Sequence, residues 1–418
     1  MTTTPRMSLP LVNCDRLLQS IDDLANVGRL PQGGVRRIAY SPEDCQARQW
    51  VQNQMTQAGM TVRIDPAGNV IGRYPGQQDH LPVLATGSHL DTVPCGGRYD
   101  GAFGVLAGLE VVRSLHDRNL HLRHPLEVIV FTDEESSMIG SKGISGRVFP
   151  DPDYYRRPDG ESIQDCLARV GGNWDQIHLA QRQPHEIAAF LELHVEQGPI
   201  LESMGKAIGV IEGIVGQRRY QISVEGQENH AGTTPMYMRC DALVAASRVV
   251  LAVHEVANTP GQQVATVGQI QVFPNAVNVV PGRVEMSLDI RDLSSLHIDR
   301  LLEQLDLHVQ EIAIATNTKI RFERRLRNEP ALAEPHLQEI IATASQALDL
   351  SYTYLPSRAS HDAQELAVIT DMGMIFVPSE NGLSHSEFEY TSPEECVQGA
   401  NVLLHSLIQC DRYYSDTH

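Results

Sequence analysis

The 418 residues carry 33 Lys and Arg against 52 Asp and Glu, a formal net charge of −19, with 42% apolar and 5% aromatic side chains. That apolar share suits two or three domains with sizeable cores and excludes a disordered or fibrous chain. The acidic balance disfavours phosphate backbones and anionic lipid, so neither nucleic acid nor a membrane is an expected partner. Seven scattered cysteines with no closely spaced pair, no secretory-type apolar stretch near the start and no apolar run of membrane-spanning length give cytoplasmic as the expected location.

Ser41 to Asp44 reads as a capped helix start and Gly59 as its stop. Thr61 to Ile64 and Val70 to Tyr74 flank an Asp-Pro-Ala-Gly-Asn turn, as in a hairpin. Leu81 to Thr86, the helical spacing from Phe103 to Leu115, and Leu126 to Phe131 predict a strand, helix, strand unit in a largely parallel sheet. Arg156 to Gly172 reads as a long surface loop. From about Gly213 the pattern changes: strands at Tyr220 to Val224, Gln263 to Val272 and Val284 to Arg291 alternate with helices at Cys240 to Ala257 and Leu296 to Ala315. This predicts an inserted α+β domain. Helix Pro335 to Leu348, strand Met374 to Val377 and a helix from Pro393, capped by Ser392, return to the first style. The expected division is 1–212 and 329–418 for a discontinuous α/β domain and 213–328 for the insertion.

Five segments carry chemistry. His89 follows the strand Leu81 to Thr86, at the end where open α/β sheets place their sites, with Asp91 placed to hydrogen-bond its second ring nitrogen. Asp100 sits in the glycine-dense GGRYDGAFG, which lacks both the Walker ending and the dinucleotide fingerprint; it points inward or caps the next helix. Asp133-Glu134-Glu135 follow a buried strand, where a divalent cation compensates such a cluster and leaves one carboxylate as a base. Glu192, His194 and Glu196 share one strand face. His385 lies in a glycine-containing loop after the strand Met374 to Val377. Imidazoles mixed with carboxylates suit zinc, manganese or cobalt better than calcium or magnesium.

These segments resemble the metallo-amidase branch of the aminoacylase and carboxypeptidase superfamily, which includes allantoate amidohydrolases, N-carbamoyl-L-amino-acid hydrolases and ureidopropionases. The similarity spans nearly the whole chain through GSHLDT, GGRYDGAFG, TDEESS, ELHVEQGPILE, NHAGTTPM, NVVPG, LDIRD, SHDAQ and SENGLSHS. It implies an α/β fold: a two-metal, zinc-peptidase-like catalytic domain with an inserted α+β lid domain that mediates a homodimer. By motif, His89, Asp100 and His194 fall to one metal and Asp100, Glu135 and His385 to the other, two divalent ions per subunit. Glu134 becomes the general base and Asp91 the partner of His89.

The resemblance further implies that Arg291 clamps a substrate carboxylate, the alternative being a surface ion pair with Asp292. Asn278 is a polar substrate ligand or an Asx turn, and His230 reaches the facing subunit's site as an oxyanion donor. Gln197 and His361 contact substrate or serve only structural hydrogen bonds. Arg218 adds an anion contact or decorates the domain junction. Arg358 and Ser360 stand where the family commonly has glycines, leaving substrate choice open in that loop.

The implied activity is hydrolysis of the ureido C–N bond of a small carboxylate, allantoate in the first instance, with release of ammonia and carbon dioxide. The alternatives are an N-carbamoyl-L-amino-acid hydrolase or ureidopropionase and, further off, a dinuclear metallopeptidase or aminoacylase, or a non-catalytic metal-binding homologue.

Overall fold

The computed structural model describes residues 10–416. In chain order these form α1 (Cys14–Ala25), α2 (Pro42–Gln57), β1 (Thr61–Ile64), β2 (Val70–Tyr74), β3 (Val83–His89), α3 (Ala102–Asp117), β4 (Leu126–Phe131), α4 (Ile139–Ser145), α5 (Ile163–Arg169), β5 (Ile187–Val195), α6 (Ile200–Met204) and β6 (Ile208–Ile214). Then come β7 (Gly216–Glu225), β8 (Asn229–His230), α7 (Ala242–Ala257), β9 (Val264–Thr266), β10 (Ile270–Phe273), β11 (Val279–Val280), β12 (Arg283–Asp292), α8 (Ser295–Thr316) and β13 (Lys319–Asn328). The last stretch holds β14 (Ala331–Leu332), α9 (Pro335–Ala347), β15 (Tyr352–Ser357), α10 (Asp362–Leu366), β16 (Asp371–Val377) and α11 (Pro393–Asp416). Two compact units result: the described residues up to Gly213 with those from Leu332 onward, and Ile214–Ala331. Among the described residues no helix is long and apolar enough to cross a membrane, and all seven cysteines are free thiols.

The first unit is built on a nine-stranded mixed sheet of order β1-β2-β4-β3-β5-β16-β6-β14, with β15 also paired to β6. β3 runs parallel to β4 and β5, and β5 parallel to β16. Every residue of β3 and β4 is buried, because parallel strands are covered by helices on both faces. α3 is buried from Ala102 through Leu115 and seats against the sheet. A Cβ on its Gly104 would come within 2.3 Å of the Leu193 carbonyl oxygen, so only glycine lets the helix lie this close. The parallel strands all end at one edge of the sheet, which brings His89, the residues after Phe131, His194 and the chain after Val377 together.

The second unit is an antiparallel sheet, β10-β12-β7-β13, with β9 also on β12. Burial alternates along β12, and α7 and α8 close the buried face. β8 and β11 form a separate ladder that sets Val279 opposite His230.

Two expectations are corrected. The stretch Arg156 to Gly172 is not all loop: α5, capped by the Ser162 side chain, buries Ile163, Cys166 and Leu167 against Tyr40 and Ile139. Its two turns are too short for the 3.6-residue period to stand out. The single strand read at Gln263 to Val272 is two, β9 and β10, each pairing with a different part of β12.

One buried ion pair braces β4. Arg48 lies 3.0 Å from Asp44, one turn earlier on α2, and donates to the Gly68 and Phe131 carbonyls; the two side chains are 3% and 0% exposed. Arg48→Met strands the Asp44 carboxylate in the core. The expected cost is about 3–5 kcal/mol of unfolding free energy, read from denaturant titration.

Candidate metal centre

At the carboxyl edge of the parallel strands, three imidazoles converge on the Asp100 carboxylate. His89 Nε2 lies 3.7 Å and His194 Nε2 3.2 Å from Oδ1, and His385 Nε2 lies 3.3 Å from Oδ2. Glu135 joins from the loop after β4, its Oε2 3.4 Å from His385 Nε2. His89, Asp100 and His194 offer ligand atoms all within 4.8 Å of one another, as do Asp100, Glu135 and His385. Tetrahedral ligands at roughly 2.0–2.1 Å from a cation stand roughly 3.3 Å apart, so this spacing and the mixed N and O donors fit two divalent ions sharing Asp100.

The rings of these candidate ligands are oriented by the main chain. His89 Nδ1 is 2.9 Å from the Asp91 carbonyl and His194 Nδ1 is 2.9 Å from the Val195 carbonyl. A carbonyl only accepts, so Nδ1 carries hydrogen in both rings and Nε2 faces Asp100. This corrects the expectation for Asp91, whose carboxylate stands 3.9 Å from the ring and instead accepts from the Glu134 and Glu135 amides at 3.4 and 3.2 Å. Asp91 thus orients His89 with its backbone and the acidic loop with its side chain. Asp100 is not a side-chain cap of α3; Gly101, at φ 63°, begins the helix. A Cβ on Gly101 would meet the His89 ring at 2.4 Å, so glycine here makes room for the ligand.

Glu134 Oε2 lies 3.6 Å from His89 Nε2. Burial, reinforced by Asp362 and Glu135, pushes its carboxyl well above the usual range. Gln197, in left-handed backbone at φ 58°, donates its amide to Asp100 Oδ2 at 3.0 Å and so joins the centre. Glu192 lies beside it, its carboxylate within 4.8 Å of His194 and His361 while accepting from Ser88 Oγ and the Ala363 amide; Glu196 accepts from the Ile200 and Leu201 amides at the start of α6.

The expected substrate contacts divide. His361 is buried, with Nε2 2.9 Å from Ser357 Oγ and its ring edge-on to His194 at 4.5 Å between centroids. That placement packs His361 against the His194 ring. In the second unit, Arg218 is 1% exposed and its guanidinium is committed to Glu329, Ser295 and the Asn328 carbonyl, which corrects the anion contact expected there. Arg291 pairs with Asp289 at 2.9 Å, while Asp292 holds His297 instead. His230 Nδ1 accepts from the Gly232 and Thr233 amides, so the neutral ring carries its hydrogen on Nε2, as an oxyanion donor requires. Asn278 is exposed beside it, its carbonyl accepting from Ala231.

Glu389 escaped the sequence reading. Its Oε1 accepts from the Tyr99 and Asp100 amides at 2.9 and 3.1 Å and its Oε2 from Ser384 Oγ at 3.0 Å, which fixes the backbone under Asp100. Burial, then the charge of Asp100, pushes it up to about 7. Asp362 also lies near the centre, its charge acting on Glu134. It is fully buried, and burial, then the charge of Glu192, pushes it far up against the lowering effect of Ser141. No local pattern marks either acid, because both reach the centre from distant segments.

A model of peptidase family M20/M25/M40 matches residues 85–409. The chain belongs to the M20 family. It is 38% identical over 404 residues to an N-carbamoyl-L-amino acid amidohydrolase of Geobacillus stearothermophilus, covering 96% of this chain and 99% of that protein. It is 36% identical to the allantoate amidohydrolase of Escherichia coli K12, covering 92% and 95%. Among solved structures, an amidase of the hydantoinase/carbamoylase family from Burkholderia multivorans superposes with a TM-score of 0.89 at 37% identity, covering 96% of this chain and 98% of that one. Within the M20 family the chain is therefore a metal-dependent hydrolase of C–N bonds other than peptide bonds, with a catalytic and a lid domain.

Metal loading has a signed pH dependence. Burial works against charging His194, but its hydrogen bond to Asp100 prevails and lifts it from 6.5 to about 9; the Asp100 contact lifts the half-exposed His385 to about 9 as well. Asp100, pushed up by burial, is held well below the usual range by these same rings. Both imidazoles hold protons between about 6.5 and 9 that a cation must displace. Adding metal to chelator-treated protein at pH 7 is expected to release protons, and apparent affinity to rise as pH climbs towards about 9. Calorimetry in two buffers of different ionisation enthalpy measures both. For the chelated protein, raised folded values mean stabilisation present in full below about 6.5 and lost as pH passes about 9.

Proposed function

We propose that the chain removes the carbamoyl group of a small ureido carboxylate, with allantoate as the first candidate substrate, releasing ammonia and carbon dioxide. The observation that carries this is Asp100 turning one oxygen to His89 and His194 and the other to His385, with Glu134 alongside. Divalent cations bound there supply the positive charge that polarises a ureido carbonyl, a poor electrophile because both nitrogens donate into it, and acidify an attacking water. Glu134 takes the proton of that water and returns it to the departing nitrogen. Asp91 keeps Glu134 and Glu135 in place through their amides. Arg291 is assigned the substrate carboxylate, Asn278 a second polar grip, and His230 Nε2 the oxyanion, the last in a homodimer formed through the second unit.

A second reading, hydrolysis of N-carbamoyl-L-amino acids, is favoured by the 38% identity to the Geobacillus enzyme. It gains weight because Arg218, in the segment that resembles allantoate enzymes, is committed inside its own domain. Ammonia release from allantoate, N-carbamoyl-L-amino acids and 3-ureidopropionate, after chelation and reloading with zinc, manganese or cobalt separately, decides between the readings and selects the metal. Faster turnover of allantoate supports the first; turnover confined to carbamoyl-amino acids establishes the second; hydrolysis of dipeptides or N-acyl-amino acids alone overturns both.

A further inference from the structure

The loop bearing both working acids is gripped from outside by an arginine in what reads as a surface loop. Asp133, directly before Glu134, adopts left-handed backbone at φ 58°, unusual for a residue with a side chain. Its carbonyl accepts from the Ser137 and Met138 amides at 3.1 and 2.7 Å, and its carboxylate takes the Ser137 hydroxyl. The other carboxylate oxygen receives Arg157 Nη1 at 3.0 Å, a pair whose side chains are 2% and 13% exposed. Arg157 is itself well set. Its amide donates to the Glu161 carbonyl, its carbonyl accepts from Gly160, and its guanidinium lies over the Tyr40 ring, 5.4 Å from the centroid. Asp91 grips the amides of Glu134 and Glu135 from one side, while Arg157 grips the preceding residue from the other.

We propose that Arg157 is a positioning residue for the catalytic loop: by fixing Asp133 it sets where Glu134 and Glu135 point, without touching substrate. The leverage is steep. A turn of about 10° in the Asp133 backbone, carried over roughly 5 Å to the Glu134 carboxylate, displaces it by about 1 Å, and errors of that size cost on the order of 100-fold in rate. The inference rests on the roles given above to Glu134 and Glu135.

Arg157 and Tyr40 also line a cleft of about 530 Å³ open to solvent, so truncating the arginine leaves a seat that a small cation can enter. The test compares Arg157→Ala and Arg157→Lys with the parent enzyme, with and without millimolar guanidinium. For Arg157→Ala, kcat is expected to fall about 10- to 100-fold with KM within twofold. Amide exchange over residues 133–138 should quicken tenfold or more while α3 is unchanged, and guanidinium should reverse both effects without altering the parent. Lysine, which supplies the charge without the planar fork, should restore part of the rate. A kcat within twofold of the parent together with unchanged exchange in the loop overturns the proposal, as does a loss that spreads to α3 and yields to neither guanidinium nor lysine. If the alanine variant does not fold, Arg157→Gln carries the same readouts. Exchange is measured without substrate, so a parent enzyme inactive on every ureido compound would sink the substrate reading and leave this inference to be decided on its own.

Discussion

Asp100→Asn is expected to empty both metal positions at once and leave no turnover above background. Asparagine keeps the size and one acceptor oxygen but removes the charge that faces three imidazoles, two through Oδ1 and one through Oδ2. Asp100 belongs to the group with His89 and His194 and to the group with Glu135 and His385, so its loss differs in kind from that of Glu135 or His385, which belong to one. Changes in outer-shell partners cost roughly 10- to 100-fold in metal affinity, and loss of a shared charged ligand should exceed that at both positions. Metal analysis after dialysis against a fixed low concentration is the measurement. One ion retained at full occupancy would show that Asp100 does not bridge. The Glu389→Gln variant is a graded comparison, since that side chain holds only the backbone beneath Asp100.

Glu134→Gln should separate chemistry from metal binding. Glutamine fills the same space and cannot take the proton from water, so kcat is expected to drop about 10²- to 10⁴-fold, the usual range for a positioned general base. Metal content should match the parent, because Glu134 lies outside both ligand sets despite its 3.6 Å approach to His89. Single-turnover kinetics beside metal analysis tells the cases apart. Undiminished turnover removes the proton-transfer role, and loss of metal in parallel with activity would make Glu134 a ligand.

Part of this centre is legible in the linear chain because His89 and His194 lie at the ends of buried strands and Glu135 in the loop directly after another, whereas Asp100 and His385 sit further along their loops. The acid triplet after Leu126 to Phe131 and the histidine closing the β5 run are local patterns: charge directly after apolar residues demands compensation wherever the fold puts it. The supports are a different matter. Glu389 lies 289 residues from the Asp100 amide it accepts from, Arg157 is 24 residues from Asp133, and the Asp91 side chain bonds amides 43 and 44 residues on. A surface acid and a structural one share the same letter, and only burial distinguishes them.

By itself, then, the amino-acid order determined the alternation of buried strands and helices and the break into a second unit, since hydrophobic period acts over a few residues; the candidate ligands came from motif resemblance. The tertiary structure alone decided which partner each polar group takes: that His89 is oriented by a main-chain carbonyl, that Arg218 is spent on Glu329 inside the second unit, and that Arg157 pairs with Asp133. Hydrogen bonds and ion pairs act over a few ångströms, and which groups come that close is settled only when distant segments pack.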